Sequence, residues 1–361
     1  MSFSEKFRKS ILKYFEAIRV AFAVFLAIAI IMVVIFFVSE EPWQVLYWLV
    51  VGPVTTLRRF GTVIELLIPL GFCGLGMCMM FQVNRFNMSC EGAFFIAGSV
   101  TAILALYLDL PPVIFPAVII IASAFAGGCV TIIPAYINEK YKAHIVVSSI
   151  MLNYVMLYVG RFLLIHWLKD PTFSYNGTPF FPESALLTRI LKGTRIHTGI
   201  FILIAAVIIT YILLYKTKIG YNMRYSGQNA AFARYVGINT RRSILSAQFI
   251  GGMLAGIGGA IECLGIYQQL NWEVQLGYGF DGMLIAIIAK NNPLVVPVVA
   301  FILSYLRAGG DLVNRMTDVP TELVSVIQSL IVIFIAAKSL LSTVRHKLLI
   351  QDSVSGKGAT E

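Results

Sequence analysis

Five ionisable side chains lie within or beside long apolar stretches of the sequence, where they could do chemistry: Glu65, Arg85, Glu91, Glu262 and Asp281. An ionisable group inside a membrane is costly unless it is paired or faces water. Such groups therefore mark either a substrate or ion pathway or a structural pair. For Glu65 and Glu262 the sequence favours structural pairing, because each lies in an apolar run that flanks a polar interruption.

Glu91 and Asp281 each lie at an interruption of an apolar run. The two interruptions, RFNMSCEGAFFIAG (85–98) and GYGFDGMLIAIIA (277–289), both combine a phenylalanine with an acidic residue followed by glycine. Paired interruptions in two halves of a chain are typical of inverted-repeat transporters and point to the substrate site. Because a helix N-terminus favours a carboxylate, we expect Glu91 and Asp281 either to contact substrate or to cap backbone amides. A chance likeness of the two stretches is the alternative to two inverted repeats.

A polar pair, Asn153 and Tyr154, lies in the apolar stretch SSIMLNYVMLY near the middle of a candidate membrane span. A buried amide without a partner is costly, so we expect this pair to lie on a transport path. The residue patterns of an enzyme are missing from the sequence. Its four histidines are far apart, and no phosphate-binding loop of the form G-x-x-x-x-G-K-[ST] occurs, so the chain is not expected to hydrolyse nucleotide.

The elements that must hold these residues are membrane-spanning helices. The chain has 361 residues, of which 58% are hydrophobic and 13% charged, with a mean hydropathy of +0.82. Since a soluble domain is about a quarter charged, lipid is the expected solvent. Residues 43–57 are interrupted by Gly52 and Pro53 and are expected at the outer surface, with an extra span as the alternative. Segments of about 20 apolar residues predict an all-α polytopic protein with about ten spans and interrupted helices: 20–38, 61–83, 88–108, 112–137, 144–167, 197–216, 243–267, 281–290 (short), 293–308 and 321–340.

Clusters of lysine and arginine predict the orientation of the spans, since positive charge concentrates in cytoplasmic loops. They indicate a cytoplasmic N-terminal segment (1–19), a membrane domain (20–340) and a cytoplasmic tail (341–361). Within the membrane domain, residues 168–196 form the longest external loop and residues 217–242 a basic cytoplasmic loop. These clusters account for the net charge of +10. A nucleic-acid partner is not expected, because no aromatic-rich basic surface or binding motif occurs.

The cytoplasmic stretch YSGQNAAFARYVGINTRR (225–242) predicts a short helix outside the membrane. Ser226 can cap its N-terminus and Gly237 can end it, which leaves a helix over 227–236. So short a helix is unstable alone, and its apolar face therefore requires a partner. A protein groove is favoured over the lipid surface, because the alanines of this helix permit close approach. The apolar face consists of Phe232, Tyr235 and Val236.

Three stretches resemble one family of transporters. GYNMRYSGQNAAFARYVGINTRR (220–242) resembles the cytoplasmic coupling segment of ABC-importer permeases of the branched-chain amino acid, simple-sugar and nucleoside type. FNMSCEGAFFIAG (86–98) and HIVVSSIMLNYV (144–155) are similar to elements of the nucleoside and simple-sugar branch. The resemblance covers residues 60–340 approximately. The sequence departs from the family pattern at Ser89, where the family has glycine, and at Ala93, where it has glutamine.

The resemblance implies a membrane-spanning permease subunit of an ATP-driven importer with a type II architecture. Its translocation path would carry nucleosides or related simple sugars. Together with the two interruptions, it implies these substrate-path residues: Phe86, Asn87, Glu91, Asn153, Tyr154, Phe280 and Asp281. The residues implied in coupling to the ATPase are Gly227, Gln228, Asn229, Ala230, Ala231, Arg234, Tyr235 and Gly237.

The resemblance also implies partners and a location. The partners are a cytoplasmic ABC ATPase, a second homologous permease, an extracytoplasmic substrate-binding lipoprotein and the lipid of a bacterial plasma membrane, with both termini cytoplasmic. This chain would bind no cofactor or metal itself, because ATP and Mg belong to the ATPase. An ion-coupled secondary transporter is the alternative, with the four membrane carboxylates as proton sites. Ribose, galactose and branched-chain amino acids are the alternative substrates within the ABC class.

Overall fold

The computed structural model describes residue 36, residues 41–112, 114–191 and 193–320, and six residues between 322 and 329. All regular elements of this described part are helices, in agreement with the all-α prediction. Four predicted segments lie outside the described residues, apart from the few positions just named: the spans 20–38 and 321–340, the N-terminal segment 1–19 and the tail 341–361.

The described residues form helices α1 to α11, numbered in chain order. Their bounds are Pro42–Val50 (α1), Leu57–Phe81 (α2), Cys90–Tyr107 (α3), Phe115–Tyr141 (α4), Ile145–Leu163 (α5), Gly199–Lys216 (α6), Lys218–Gln228 (α7), Ala230–Tyr235 (α8), Thr240–Glu262 (α9), Tyr278–Ile288 (α10) and Val296–Met316 (α11). A five-residue π-helical turn extends α5 through Leu164–Leu168 and α9 through Cys263–Tyr267. Within the described part, seven helices are long and apolar enough to cross a membrane, namely α2, α3, α4, α5, α6, α9 and α11. Each of them overlaps one of the predicted spans, with ends that differ by up to several residues.

Two apolar helices are too short to cross a membrane. Helix α10 has 11 residues, so it is about 16 Å long, roughly half of the ~30 Å hydrocarbon core. The structure thus has an apolar helix where the sequence predicts the short span 281–290, but this helix is not long enough to cross a membrane. Helix α1 has nine residues, with Pro42 in its first turn, and the 3₁₀ turn Gly52–Val54 follows it. The stretch 43–57 therefore holds no spanning helix.

The described residues divide into two compact units. The larger unit, residues 54–305, contains α2 to α10 and the first part of α11. In the smaller unit, α1 packs against the last part of α11, where the backbone of Leu49 leaves no room for a side chain at Gly309. The predicted functional residues all belong to the larger unit.

Small residues bring α9 into the centre of the larger unit, where it contacts α2, α3 and α4. A Cβ atom added to Gly251 would lie 2.6 Å from the carbonyl oxygen of Gly76 in α2, and one added to Gly252 would lie 2.5 Å from that of Gly127 in α4. The backbones of these helices are therefore in direct contact. Small residues at the contact between membrane helices permit such close approach.

The basic loop over residues 217–242 differs from its prediction in one respect. Two helices, α7 and α8, replace the expected single helix over 227–236, and Ser226 lies buried inside α7. The predicted N-cap at Ser226 is therefore wrong. Asn229 separates the two helices and caps α8, because its side-chain oxygen accepts a hydrogen bond from the amide of Phe232. Gly237 ends the segment with φ +83°, as predicted for the C-terminal glycine.

Candidate functional site

The two polar interruptions meet at Glu91. Its carboxylate accepts hydrogen bonds from the amide of Gly277, at 2.8 Å, and from the amide of Gly279, at 2.5 Å. Glu91 lies in the first turn of α3, whereas Gly277 and Gly279 begin α10. The positive ends of two helix dipoles therefore point at one buried carboxylate. The structure thus shows the capping role that the sequence left open for Glu91.

The junction at Glu91 lies beside the middle of α2. The thiol of Cys90, at the start of α3, is 3.9 Å from the carbonyl oxygen of Cys73, and a Cβ atom at Gly282 in α10 would lie 2.7 Å from the backbone of Cys73. Helix α2 continues for eight residues beyond Cys73, which is about 12 Å. Residues 82–89 therefore return from the end of α2 to its middle without helical structure. Such backbone is tolerated at membrane depth only where protein buries it or where it lines a water-filled cavity.

Two buried asparagines hold this non-helical segment in place. The side-chain oxygen of Asn153 in α5 accepts from the amide of Gly92 at 2.9 Å, and its nitrogen donates to the carbonyl of Met88 at 2.8 Å. Asn87 donates to the carbonyl of Thr131 in α4 at 2.8 Å, while its oxygen accepts from the amide and the hydroxyl of Ser89. Both side chains satisfy backbone groups that the interruption of the helix would otherwise leave unpaired.

The other four predicted substrate-path residues reach the surface of the chain to different degrees. Phe86 is 49% exposed, with its ring centroid 4.9 Å from that of Phe81. Tyr154 is 54% exposed, although its neighbour Asn153 is buried. Phe280 and Asp281 are partly buried in the first turn of α10. Two of the predicted substrate-path residues, Phe86 and Tyr154, are therefore exposed aromatic side chains, whereas the three that bond to backbone groups are buried.

An aromatic cluster that the sequence did not predict packs beside the Glu91 junction. The ring of Trp272, in the segment between α9 and α10, stacks on Phe94 with a centroid distance of 5.5 Å and also contacts Phe95. The hydroxyl of Tyr278 donates to the carboxylate of Glu262 at 3.0 Å. Gly98 permits this arrangement, since a Cβ atom there would collide with the Trp272 ring. The hydrogen bond to Tyr278 confirms the structural pairing expected for Glu262.

A second polar cluster lies near the start of α6. Glu65 pairs with Arg195 at 3.8 Å, which confirms the structural pairing predicted for this carboxylate. His197, which the sequence did not single out, is fully buried, and its Nδ1 accepts from the amide of Gly199 at 3.2 Å. Burial first, and then the positive charge of Arg189, lower the pKa of His197 to about 4. The imidazole is therefore neutral at physiological pH and caps α6.

The basic loop 217–242, which contains α7 and α8, presents an exposed surface outside the spanning helices. Tyr235 is 89% exposed, Val236 52% and Phe232 51%, so the predicted apolar face is accessible. Ala233, on the opposite side of α8, is buried. Of the other predicted coupling residues, Gln228, Asn229, Ala231, Arg234 and Gly237 are exposed, and Gly227 and Ala230 are partly buried. Three adjoining apolar side chains at a basic loop form a surface suited to a protein partner.

No group of three histidine, cysteine, aspartate or glutamate side chains in the described part of the chain could hold a metal ion. The groups that the site offers are its hydrogen-bonding side chains and its aromatic rings.

Residues 60–336 match the family described as branched-chain amino acid transport system, permease component. The chain belongs to this family. It is 28% identical over 294 residues to a guanosine ABC transporter permease of Bacillus subtilis, which covers 80% of this chain and 84% of the relative. A nucleoside ABC transporter permease of Lactococcus lactis subsp. cremoris is 26% identical, covering 83% and 85%. A glucose ABC transporter permease of Haloferax volcanii is also 26% identical, covering 78% and 77%. No solved structure matches the chain.

Membership of this permease family agrees with the spanning helices and the interruptions at Glu91. The chain is a multi-pass membrane protein and the permease subunit of an ATP-driven ABC importer, as the resemblance implied. It is a transport subunit and not an enzyme, and it works with an ATPase and a substrate-binding partner. The family membership favours this function over an ion-coupled transporter that uses the membrane carboxylates as proton sites.

Proposed function

We propose that this permease carries nucleosides. The observation that supports this substrate class is the similarity to the guanosine permease over four-fifths of the chain, together with the similarity to the nucleoside permease. A simple sugar is the second candidate, which the similarity to the glucose permease favours. Exposed aromatic rings fit the first candidate better, because Phe86 and Tyr154 could stack on a planar base.

In this proposal the predicted substrate-path residues divide into two groups. Phe86 and Tyr154 contact the substrate through their exposed rings, and Phe280 and Asp281 contribute from the first turn of α10. The remaining three position the path through their hydrogen bonds to backbone groups; they are Asn87, Glu91 and Asn153.

The coupling segment 217–242 is proposed to dock in a groove of a cytoplasmic ABC ATPase. The exposed face of Phe232, Tyr235 and Val236 supports this role, since a six-residue helix needs a partner to remain folded. ATP and Mg would be bound by that ATPase and not by this chain. We further propose a second homologous permease, an extracytoplasmic substrate-binding lipoprotein, and a bacterial plasma membrane location with both termini cytoplasmic.

The substrate proposal is tested by uptake into proteoliposomes that contain the whole importer, purified with its partners. With ATP on the ATPase side, labelled guanosine is expected to enter, and unlabelled nucleosides should compete with it. Ribose and galactose should compete weakly. If a sugar competes as well as a nucleoside does, the simple-sugar candidate replaces the nucleoside.

The docking proposal is tested with Ala231→Glu. A glutamate at this exposed position of α8 introduces charge and bulk into the proposed groove contact, so the tagged chain should recover much less ATPase from mild detergent. Ala231→Ser keeps the residue small and is the matched control. Equal recovery of the ATPase by both variants would show that α8 is not the docking surface.

A further inference from the structure

Gln82, the first residue after α2, contacts two elements that the sequence places far from it. Its side-chain nitrogen donates a hydrogen bond to the backbone carbonyl of Asn291, in the turn after α10, at 2.8 Å. Its own backbone lies against Gly227 in α7. A Cβ atom at Gly227 would collide with the carbonyl oxygen of Gln82 and would lie 2.9 Å from the Cα of Val83. One residue thus joins the coupling segment, the end of α2 and the end of α10.

These contacts fix α10 at both ends. Its N-terminus is bonded to Glu91 through Gly277 and Gly279, and the turn after its C-terminus is bonded to Gln82 through Asn291. Gln82 and Glu91 are themselves connected by the non-helical segment 82–89. Residues 82–91 and helix α10 therefore form a closed ring, because hydrogen bonds join them at Gln82 and again at Glu91. Gly227 contacts this ring at Gln82.

We propose that Gln82 is the coupling residue that transmits movement of the 217–242 segment to the Glu91 junction. The inference rests on the proposed docking of that segment on the ATPase. When the docked segment moves, Gly227 displaces the backbone of Gln82, because there is no side chain between them to absorb the motion. The Gln82 amide then moves the end of α10, while the chain 82–89 moves the start of α3.

A matched control exists at Gln248 in α9. Its side-chain nitrogen also donates to a backbone carbonyl near the end of α2, that of Met80, at 3.1 Å. This hydrogen bond joins α9 to α2 and does not include α7 or the turn after α10. Removal of either amide therefore removes one hydrogen bond from the end of α2, but only the loss at Gln82 opens the ring.

The experiment compares Gln82→Met and Gln248→Met in the reconstituted whole importer and measures substrate molecules transported per ATP hydrolysed. Methionine keeps the length of the side chain and cannot donate. Gln82→Met is expected to lower the ratio severalfold, because it removes the hydrogen bond that joins Gln82 to the turn after α10. Gln248→Met should lower thermal stability and leave the ratio unchanged. Gln82→Lys restores a donor and should recover at least half of the ratio.

A ratio for Gln82→Met equal to the wild-type ratio, or an equal fall for Gln248→Met, would overturn the inference. If Gln82→Met fails to assemble, Gly227→Ala tests the same contact from α7, and an unchanged ratio in that variant would also overturn it. Failure of the proposed function gives a different result. In that case the wild-type importer shows no ATP-driven nucleoside uptake, or Ala231→Glu still recovers the ATPase.

Discussion

At the scale of single residues, the carboxylate of Glu91 serves two helix N-termini. It lies in the first turn of α3 and accepts hydrogen bonds from the amides that begin α10. A carboxylate can accept several hydrogen bonds and is favoured by the positive end of a helix dipole. The same group therefore joins the two interrupted segments and satisfies two backbone donors at the start of α10.

The variant Glu91→Gln tests the joint role of this carboxylate in stability and in transport. An amide offers one acceptor oxygen and places an NH2 group against one of the two glycine amides, so one buried donor loses its partner. We expect a stability loss of about 1–3 kcal/mol and a lower uptake rate. The measurement is thermal unfolding in detergent together with uptake by the reconstituted importer. Unchanged values for both would contradict the joint role of Glu91.

The burial of His197 leads us to expect that the stability of the folded chain depends on pH. Its pKa is lowered from 6.5 to about 4, because burial and then the charge of Arg189 disfavour the protonated form. Between pH 6.5 and about 4 the unfolded chain binds a proton at this site and the folded chain does not. Stability should therefore be complete above pH 6.5 and fall as the pH decreases through this range, by up to about 3 kcal/mol.

The check is the unfolding temperature at pH 7 and at pH 4.5, for the wild type and for His197→Asn. The variant should lose less stability between the two pH values, since asparagine can still accept from Gly199 and does not titrate in this range. A pH dependence as steep as that of the wild type would show that other groups account for the loss.

Much of the site could be predicted at residue scale, because polar residues are rare in this sequence and each requires a reason. Glu91 and Asn153 were found from their place in apolar runs. Their partners could not be predicted, since Asn153 bonds to residues 61 and 65 positions away and Glu91 to residues 186 and 188 positions away. Gln82 and Trp272 were missed because nothing in their local sequence distinguishes them.

At the scale of elements, the spans were predictable because length and apolar composition alone define a crossing helix. The short segment after α6 was predicted less well. Ser226 and Asn229 are both good N-caps, and the sequence alone does not show which of them ends the preceding helix. In the structure α7 continues through Ser226, and Asn229 caps α8.

Gly252→Val tests the close packing of α9 against α4. The added side chain would overlap Thr131 and the Gly127 carbonyl, so the two helices would have to separate. Overpacking of this kind costs about 1–3 kcal/mol, and we expect a lower unfolding temperature and less monodisperse protein in size-exclusion chromatography. Met253→Val, at the next, partly buried position, is the control. Equal behaviour of the two variants would contradict the backbone contact.

At the scale of the whole molecule, one compact unit of the described residues contains both the exposed apolar face of α8 and the junction at Glu91. The surface is α8 with its apolar face, and the junction is Glu91 with the start of α10. Both belong to the unit formed by residues 54–305. A permease of this family must transmit nucleotide-dependent movement over that distance, and only a difference in the affinity of nucleotide for two states of the complex can drive it.

The most direct test of the account is the energy source of transport. The importer, purified with its ATPase and binding protein, is reconstituted in proteoliposomes, and labelled nucleoside uptake is measured with ATP and without an ion gradient. Uptake that requires ATP, and that is lost in Ala231→Glu, is the predicted result. Uptake by the permease alone, driven by a proton or sodium gradient and unaffected by Ala231→Glu, would contradict it.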